Sequence, residues 1–419
     1  MVHRITILIL IAIISLAPAA WAGGSIFSAN GVGEQSTTGG ARAAGLGGGG
    51  YGLADSISFN SSNPALAAFL KRTSVRMCGQ IGFWHTTGVN NSDADAEFSW
   101  KDFRLYFPIT NRWKLGFGAE PTQQTDLNTF AQRTAIFGDT STVHYEQRDV
   151  WVGSTVELRI DNALQLSEKA ALGIGAVYII HRSSWTHTLD FDAISGTSHY
   201  IDAAYRNTET FRGWTADLGA FLQVTPKLGI GAVYRPRISG DWTYEVEKSN
   251  SDSLVKSEHR SNAPGFVKLG ISYNLKSRLI GVVDVQYGQW ASNDKVEQAD
   301  LGRGGEPINP LFVSCGLERT AGRSAVQTGF YNWGIRGGLF YRQHYWSKVN
   351  NTAVEDLGVT FGLSMPLTGS QAFLHWANEF GMRGMDEQKL GAKETYFRTS
   401  LQIELTEKWF ERSRRRIPR

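Results

Sequence analysis

From about residue 71 to residue 406, apolar side chains alternate with small or polar ones in segments of ten or more residues that end at turns. In residues 172–180, for example, Leu172, Ile174 and Tyr178 are separated by glycine, alanine or valine. Successive side chains of a strand point to opposite faces, so each segment has one apolar face and one small or polar face. This serial pattern predicts an all-β fold, a transmembrane antiparallel β-barrel.

The turns divide the barrel region into about fourteen predicted strands. Links between them alternate between short and long, which predicts that both termini and all short turns lie on the periplasmic side. In the second strand the alternation changes phase, and this predicts a β-bulge near Lys101 and Asp102. The approximate strand spans are 73–88, 96–108, 113–124, 144–159, 169–190, 205–224, 227–246, 263–274, 279–292, 311–320, 332–346, 354–366, 370–382 and 394–406.

Charged residues fall on the face of these strands opposite the large apolar residues. A charge on a lipid-facing position is costly, so the charged face is expected to line the lumen. The arginines of this face are candidates to bind a carboxylate head group. The favoured alternative is that they pair across the lumen with Asp217, Asp284, Glu379 and Glu404. The predicted lumen charges are Arg235, Asp284, Arg336, Arg342, Arg398 and Glu404.

The two ends of the chain differ from the barrel region. Residues 1–22 combine a positive start, an apolar run and Ala20-Trp21-Ala22, which predicts a cleaved secretory signal peptide. Residues 23–70 are rich in glycine, alanine and serine and do not alternate. Residues 71–406 form the predicted barrel, and residues 407–419 are a basic periplasmic tail. The net charge of +3 argues against nucleic acid as a partner.

The segment after the predicted signal peptide resembles the N-terminal region of the FadL/TodX family of outer-membrane transporters. The resemblance lies in Gly40-Ala41-Arg42-Ala43-Ala44, Leu46-Gly47-Gly48, Leu53-Ala54-Asp55 and Asn63-Pro64-Ala65-Leu66, in the order and spacing of the family pattern. Two features depart from it. Ser56 stands where the family often has a second Asp, and the chain ends in a basic tail, RSRRRIPR, instead of a terminal Phe.

The resemblance implies a fourteen-stranded barrel whose lumen holds residues 23–70 as an N-terminal, periplasmic-side hatch. Glycine allows such a compact segment because it accepts positive φ and close backbone contact, and a flexible periplasmic leader is the alternative. The family's hydrophobic ligands bind near the outer loops and leave sideways through a gap in the wall. The predicted hatch motif comprises Arg42, Gly47, Asp55, Asn63, Pro64 and Ala65.

No catalytic or metal-binding motif is present in the sequence, so we expect no enzyme activity, no cofactor and no metal. An apolar stretch lies in the predicted second outer loop, residues 125–143, where water-exposed residues are expected. Exposed apolar patches often mark ligand sites, so this loop is a candidate capture groove; packing over the barrel mouth is an equal alternative. Its candidate residues are Leu127, Phe130, Ile136 and Phe137.

Together these features predict a monomeric channel of the cell outer membrane, in contact with membrane lipids and lipopolysaccharide. Its expected partner is a hydrophobic small-molecule ligand, such as a long-chain fatty acid or a hydrocarbon, which it takes up passively. The alternative is a barrel that transports nothing and acts as a surface scaffold or as a partner of a secretion system.

Overall fold

The structure is a computed structural model. It describes most of the chain after the predicted signal peptide. Residues 1–22 and the basic tail from residue 408 onward, both subjects of predictions above, lie outside the described residues. No helix in the described part is long and apolar enough to cross a bilayer. The described ranges are 24–29, 32–88, 92–137, 141–191, 203–249, 251–291, 307–322, 329–345, 353–368, 372–385 and 390–407.

Strands dominate the described residues. One short α-helix, α1 (Gly40–Ala44), and 3-10 turns at Ile26–Ala29, Pro64–Phe69 and Gly329–Tyr331 accompany them. The strands are β1 (Glu34–Gln35), β2 (Thr73–Gly88), β3 (Ser92–Pro108), β4 (Trp113–Phe137), β5 (Ser141–Gln165), β6 (Ala170–Phe191), β7 (Ala203–Gln223), β8 (Leu228–Arg235), β9 (Ile238–Lys248), β10 (Ser251–Ala263), β11 (Gly265–Lys276), β12 (Leu279–Gln289), β13 (Leu311–Arg319), β14 (Gly334–Gln343), β15 (Glu355–Thr368), β16 (Ala372–Arg383) and β17 (Ala392–Glu407).

Antiparallel pairing closes these strands into a barrel. From β2 onward, strands adjacent in sequence pair with each other, except β8 with β9 and β10 with β11, and β17 pairs with β2 along sixteen positions to complete the ring. Two wall strands are interrupted. β8 and β9 are one strand broken at Pro236, and β10 and β11 are one strand broken at Pro264. Counted in this way, the described wall has fourteen strands, as predicted from the sequence.

The two faces of the wall have opposite chemistry. In β11, Leu269 is 46% exposed and Ile271 47%, whereas Lys268 and Ser272, on either side of this pair, are buried. The same alternation continues around the barrel, where Leu158, Leu218 and Val283 are exposed. The outer surface is therefore an apolar belt suited to lipid, and the charged residues face inward.

One side of the barrel is much taller than the other. β4 and β5 have 25 residues each, whereas β13 has nine. The upper parts of β4 to β7, together with β9 and β10, extend past the other strands on the side opposite the short turns; we call this extension the raised wall. The loop predicted over residues 125–143 is therefore wrong for the described residues: the wall strands continue through 125–137 and 141–143. The link predicted over 247–262 is likewise wrong, because 247–248 and 251–262 belong to β9 and β10.

The hydrogen-bonded ladder of the wall is broken in two places. β3 pairs with β4 only from Phe103 to Pro108; beyond these pairs, the described part of β3 pairs with β2 alone, and β4 with β5 and β1. We call this first break the split. The second break, the seam, separates Gly213–Asp217 of β7 from residues 235–240, which run from the end of β8 past Pro236 into β9. The bulge predicted near Lys101 is confirmed, because the β2–β3 register shifts between Asp102 and Trp100.

The residues before β2, Gly24 to Arg72, contact the inner side of this wall. We call them the N-terminal segment. Its 3-10 turn at Pro64–Phe69 packs against β5, β6 and β7, and α1 packs against β15 to β17. Most of its described side chains are buried, including Leu46, Tyr51 and Leu66. These contacts bring the predicted motif of the segment next to the inward-facing charges.

Candidate functional site

Arg42 fixes the middle of the N-terminal segment to the wall. This side chain lies on α1, and its guanidinium is 3.0 Å from the Asp55 carboxylate and 2.9 Å from that of Glu318 on β13. It also donates to the Ser58 carbonyl oxygen. A buried guanidinium requires such partners, because an unpaired charge in a dry interior is very costly. The arginine and aspartate of the predicted motif thus form one ion-pair cluster with the wall.

The glycine-rich turn after α1 is held by hydrogen bonds from its backbone amides to side chains of the wall. Gly47 and Gly48 adopt positive φ, 77° and 88°, a conformation that side chains with a Cβ rarely adopt. The Gly47 amide donates to Thr360 Oγ1 at 3.0 Å. Further along, the amides of Gly50 and Tyr51 donate to the two carboxylate oxygens of Asp284, at 2.7 and 2.9 Å. Asp284 was predicted as a lumen charge and as a partner of a lumen arginine; its carboxylate instead accepts from these two amides and anchors the turn.

The Asn63-Pro64-Ala65 motif caps the 3-10 turn that ends the segment. The Asn63 side-chain oxygen accepts from the Ala65 amide, and Pro64 occupies the first turn, where no amide hydrogen is needed. The Asn63 side-chain nitrogen donates to the Tyr51 carbonyl oxygen at 2.8 Å. Gly173 and Gly219 of the wall lie against Pro64, and a Cβ at either would collide with the motif. The motif thus joins the segment to the wall at a closely packed contact.

The start of the N-terminal segment occupies the split. The Gly24 amide donates to the Asp126 carbonyl oxygen at 2.6 Å, and the Ser36 amide donates to that of Thr122 at 2.8 Å. Between these two bonds, β1 pairs with β4. A cavity of only about 20 Å³ is left at this position. The segment therefore supplies the partners that β3 does not give to this edge of β4.

Glu34 adds charge to this contact. Its carboxylate lies 2.5 Å from the Arg383 guanidinium and also contacts Arg398. Burial alone would favour the protonated acid, but the two arginines outweigh it and hold the pKa of Glu34 well below its ordinary value. The carboxylate is therefore ionised at neutral pH and ties the segment to β16 and β17.

The predicted lumen charges are buried, and most have protein partners. Arg235 lies 2.6 Å from Asp217 and 2.5 Å from Glu157, and Arg398 lies 3.2 Å from Glu379. Arg342 is 3.5 Å from Asp356, Arg336 is 3.7 Å from Glu318, and Glu404 accepts from Ser74 at 2.9 Å. Of the two interpretations of the lumen arginines, the geometry favours pairing within the protein over capture of a carboxylate.

A cavity of about 160 Å³ lies in the lumen beside the N-terminal segment. Its apolar side is formed by Phe211, Trp242, Phe266, Trp290 and Phe312, and its floor includes Tyr51 of the segment. Paired charges also border it. The Lys268 ammonium lies 4.5 Å from the ring centre of Phe266 and 5.3 Å from that of Tyr51. The cavity therefore offers ring faces and aliphatic surface beside a charged border whose arginines have protein partners.

The candidate capture residues are not brought together as a loop groove. Leu127 and Phe130 belong to β4, where Leu127 is buried and Phe130 is 59% exposed. Residues three apart in a strand lie on opposite faces, so these two cannot line one groove. The side chains of Ile136 and Phe137 lie outside the described residues.

Sequence reasoning did not select several residues that the structure places at the site. Arg104, Arg159 and Arg383 are fully buried in ion pairs, and Trp242 and Trp290 form much of the cavity wall. One sequence feature would have found the arginines on β3 and β5. They occupy the polar phase of strongly alternating strands, the same criterion that identified Arg235 and Arg336.

The fold and the site together define a class of protein: an outer-membrane-type β-barrel whose lumen contains an N-terminal segment and a partly aromatic cavity. Solved structures of this class match the chain. A FadL homologue from Pseudomonas aeruginosa is 13% identical, with a TM-score of 0.58 over 88% of this chain and 99% of that one. The toluene transporter TbuX of Ralstonia pickettii is 14% identical, with a TM-score of 0.57 over 88% and 98%. The toluene transporter TodX of Pseudomonas putida is 12% identical, with a TM-score of 0.55 over 89% and 99%.

These likenesses confirm the predicted FadL/TodX-type fold. At the level of sequence, the BamG family profile matches residues 1–262 and 237–416, which is nearly the whole chain. The chain belongs to the BamG family. A comparison with curated proteins gave no match.

Proposed function

We propose that the protein is an outer-membrane channel that passively takes up small hydrophobic molecules. In this proposal the signal peptide directs export and is removed, and the barrel works as a monomer among membrane lipids and lipopolysaccharide. The N-terminal segment acts as a hatch that closes the straight route along the lumen. Ligands bind in the cavity beside it and leave sideways through the wall into the lipid.

The cavity is the observation that carries this proposal. An apolar cavity of roughly 150 Å³ is large enough to bind benzene, and the cavity here measures about 160 Å³. Its ring-lined side suits a compact aromatic or short aliphatic molecule, because such surfaces bind mainly by burial and ring contact. The structural neighbours TbuX and TodX are described as toluene transporters, which agrees with a ligand of this size.

Uptake into liposomes tests the proposal. Liposomes that contain the purified protein should accumulate toluene or a short fatty acid faster than empty liposomes. Ala263 lines the cavity and is buried, so Ala263→Trp should fill the cavity and reduce uptake at least tenfold. Val283→Trp is the matched control, since Val283 is 55% exposed on the outer face. If liposomes with the unmodified protein take up these molecules no faster than empty liposomes, the proposal is wrong.

A second candidate function, a scaffold at the cell surface, is favoured by the raised wall. β4 is ~80 Å long at 3.3 Å per residue, against ~30 Å for β13, and such an extension offers a large surface to another protein. A photo-reactive amino acid at exposed Arg206 on the raised wall would then cross-link to a protein partner in intact cells. The same group at lipid-facing Leu269 would not.

A further inference from the structure

Glu209 of β7 differs from every other buried carboxylate of the described residues. It is 6% exposed, and it forms neither an ion pair nor a hydrogen bond within the described part of the chain. Each of the other buried aspartates and glutamates in this part contacts an arginine or accepts a hydrogen bond. An isolated carboxylate in a dry interior is very costly, so Glu209 is a candidate to bind a positively charged ligand.

The neighbours of Glu209 on the inner face of the wall are aromatic. Phe211 lies two residues along β7 on the same face, and Tyr244 of β9 is the direct ladder partner of Glu209. The ring of Trp242 lies between these two, with its centre 5.0 Å from that of Phe211 and 6.3 Å from that of Tyr244. Tyr345, in the link after β14, packs in the same buried cluster, and the charge of Glu209 acts on its phenol. The carboxylate is therefore surrounded largely by rings.

Glu209 lies on the raised wall, outside the lipid layer. Trp214 of the same strand is 60% exposed on the outer face and marks the boundary of the apolar belt, and Glu209 lies beyond it. Burial raises the pKa of Glu209 to about 7, and no cation of the described residues offsets this effect. At Glu34, by contrast, Arg383 and Arg398 outweigh burial. A bound cation would favour the ionised form of Glu209 in the same way.

The groups around Glu209 suit an organic ammonium ion better than a metal ion. Calcium and magnesium require about six oxygen ligands, and the described residues include no group of three or more acidic, histidine or cysteine side chains that could hold a metal. An ammonium group instead binds to a carboxylate by charge-assisted hydrogen bonds and to ring faces by cation–π contact. Asn207, two residues from Glu209 on the same face, adds a buried side-chain oxygen that has no partner among the described residues.

Glu209 is placed at the outer end of the cavity. Phe211 and Trp242 line the cavity, and Glu209 is the next inward-facing residue of β7 in the direction away from the short turns. Two residues of a strand span about 6.6 Å, a distance that a short alkyl chain can bridge. A molecule with one ring in the cavity can therefore place an ammonium group at Glu209.

We propose that Glu209 binds the ammonium group of a compact aromatic amine whose ring occupies the cavity. The side-chain oxygen of Asn207 accepts a second hydrogen bond from the ammonium, and the rings of Trp242 and Tyr244 contact its positive charge. This ligand class rests on the proposed function only in that the cavity binds ligands, and it does not depend on transport.

Calorimetric titration of the purified protein in detergent tests the site with three ring compounds of similar shape. These are the 2-phenylethylammonium cation, neutral 2-phenylethanol and the phenylacetate anion. The parent should bind the ammonium compound most tightly and phenylacetate most weakly. Glu209→Gln keeps the shape but removes the charge, so it should weaken binding of the ammonium compound at least tenfold and change binding of the alcohol less than twofold. Glu247→Gln is the matched control, an exposed glutamate on the outer face of the raised wall, and should change neither affinity.

Tyr244 separates the effect of the rings from that of the carboxylate. Tyr244→Leu should weaken binding of the ammonium compound about threefold, since it removes a cation–π partner, whereas Tyr244→Phe keeps the ring and should not. The proposal is overturned if Glu209→Gln weakens the ammonium compound and the alcohol equally, if it weakens neither, or if phenylacetate binds the parent more tightly than the ammonium compound. Binding of the alcohol without preference for the ammonium compound rejects the amine site and leaves the cavity as a ligand site. If none of the three compounds binds, the amine site and the cavity of the proposed function fail together.

Discussion

Asp284 offers a direct test of how the N-terminal segment is held. Its two carboxylate oxygens accept from the amides of Gly50 and Tyr51. In Asp284→Ala both amides stay buried without a partner, at about 1–3 kcal/mol each. Because the costs of two neighbouring unpaired amides do not simply add, we take about 3 kcal/mol as the total loss of local stability for the pair. At about 1.4 kcal/mol per factor of ten, local opening of residues 46–54 should become about a hundredfold more frequent.

Hydrogen exchange of the purified protein in detergent measures this opening residue by residue. Exchange of amides 46–54 should accelerate about a hundredfold in Asp284→Ala, while amides in β15 and β16 keep their parent rates. Asp284→Asn retains one acceptor oxygen and should give an intermediate effect. Thr155→Val is the control, because it removes the hydrogen bonds of Thr155 to Gln123 and His181, which are wall residues and not part of residues 46–54. Unchanged exchange in Asp284→Ala would refute the anchoring role of this carboxylate.

Further predictions concern other anchors of the segment. Arg42→Met leaves the buried Glu318 carboxylate without its nearest cation, at about 3–5 kcal/mol. Thermal unfolding, monitored by protease resistance of residues 24–72, should therefore begin at lower temperature. Gly231→Ala places a Cβ 2.0 Å from the Tyr51 carbonyl oxygen and should displace the N-terminal segment. Gly281→Ala is the control, because its Cβ meets only ordinary contacts at 3.5 Å and should leave the segment in place. The fluorescence of a label on the segment compares the two variants. The pKa of Glu34 is lowered in the folded protein, so its stabilising effect is present above about pH 4.3, the value of a free Glu, and decreases as the pH falls further. Exchange of amides 24–36, corrected for intrinsic rates, should therefore rise between about pH 6 and about pH 3, and Glu34→Gln should remove this dependence.

The wall of this barrel could be predicted from the sequence because alternation is a local property. β2 runs over the predicted span, Thr73–Gly88, and the bulge at Lys101 follows from a change of phase within a few residues. The heights of β4 and β5 were underestimated for the same reason. The apolar residues of 125–137 and 141–143 do not alternate regularly with polar ones, so they did not indicate a lipid-facing strand. These residues nevertheless pair within the β4–β5 ladder, above the membrane, where an apolar face is not required.

The site was less predictable because its contacts join distant parts of the chain. The motif indicated that Arg42 and Asp55 matter, but the wall partner of Arg42, Glu318, lies 276 residues after it. The seam depends on which strand faces Pro236, and the cavity depends on how far the N-terminal segment fills the lumen. Neither the seam nor the cavity is marked by a local pattern in the sequence. The Asn63-Pro64-Ala65 motif was easier to place, since its cap forms within three residues.

The N-terminal segment is synthesised long before several of its partners. Ser25 bonds Glu394, 369 residues later, and the Ala41 amide bonds Gln402, 361 residues later. Contacts of such separation carry a large loop-closure cost and form late in folding. These two partners lie on β17, the strand that closes the ring against β2. Assembly is therefore expected to end in one cooperative step, in which the same strand completes the cylinder and secures what lies within it.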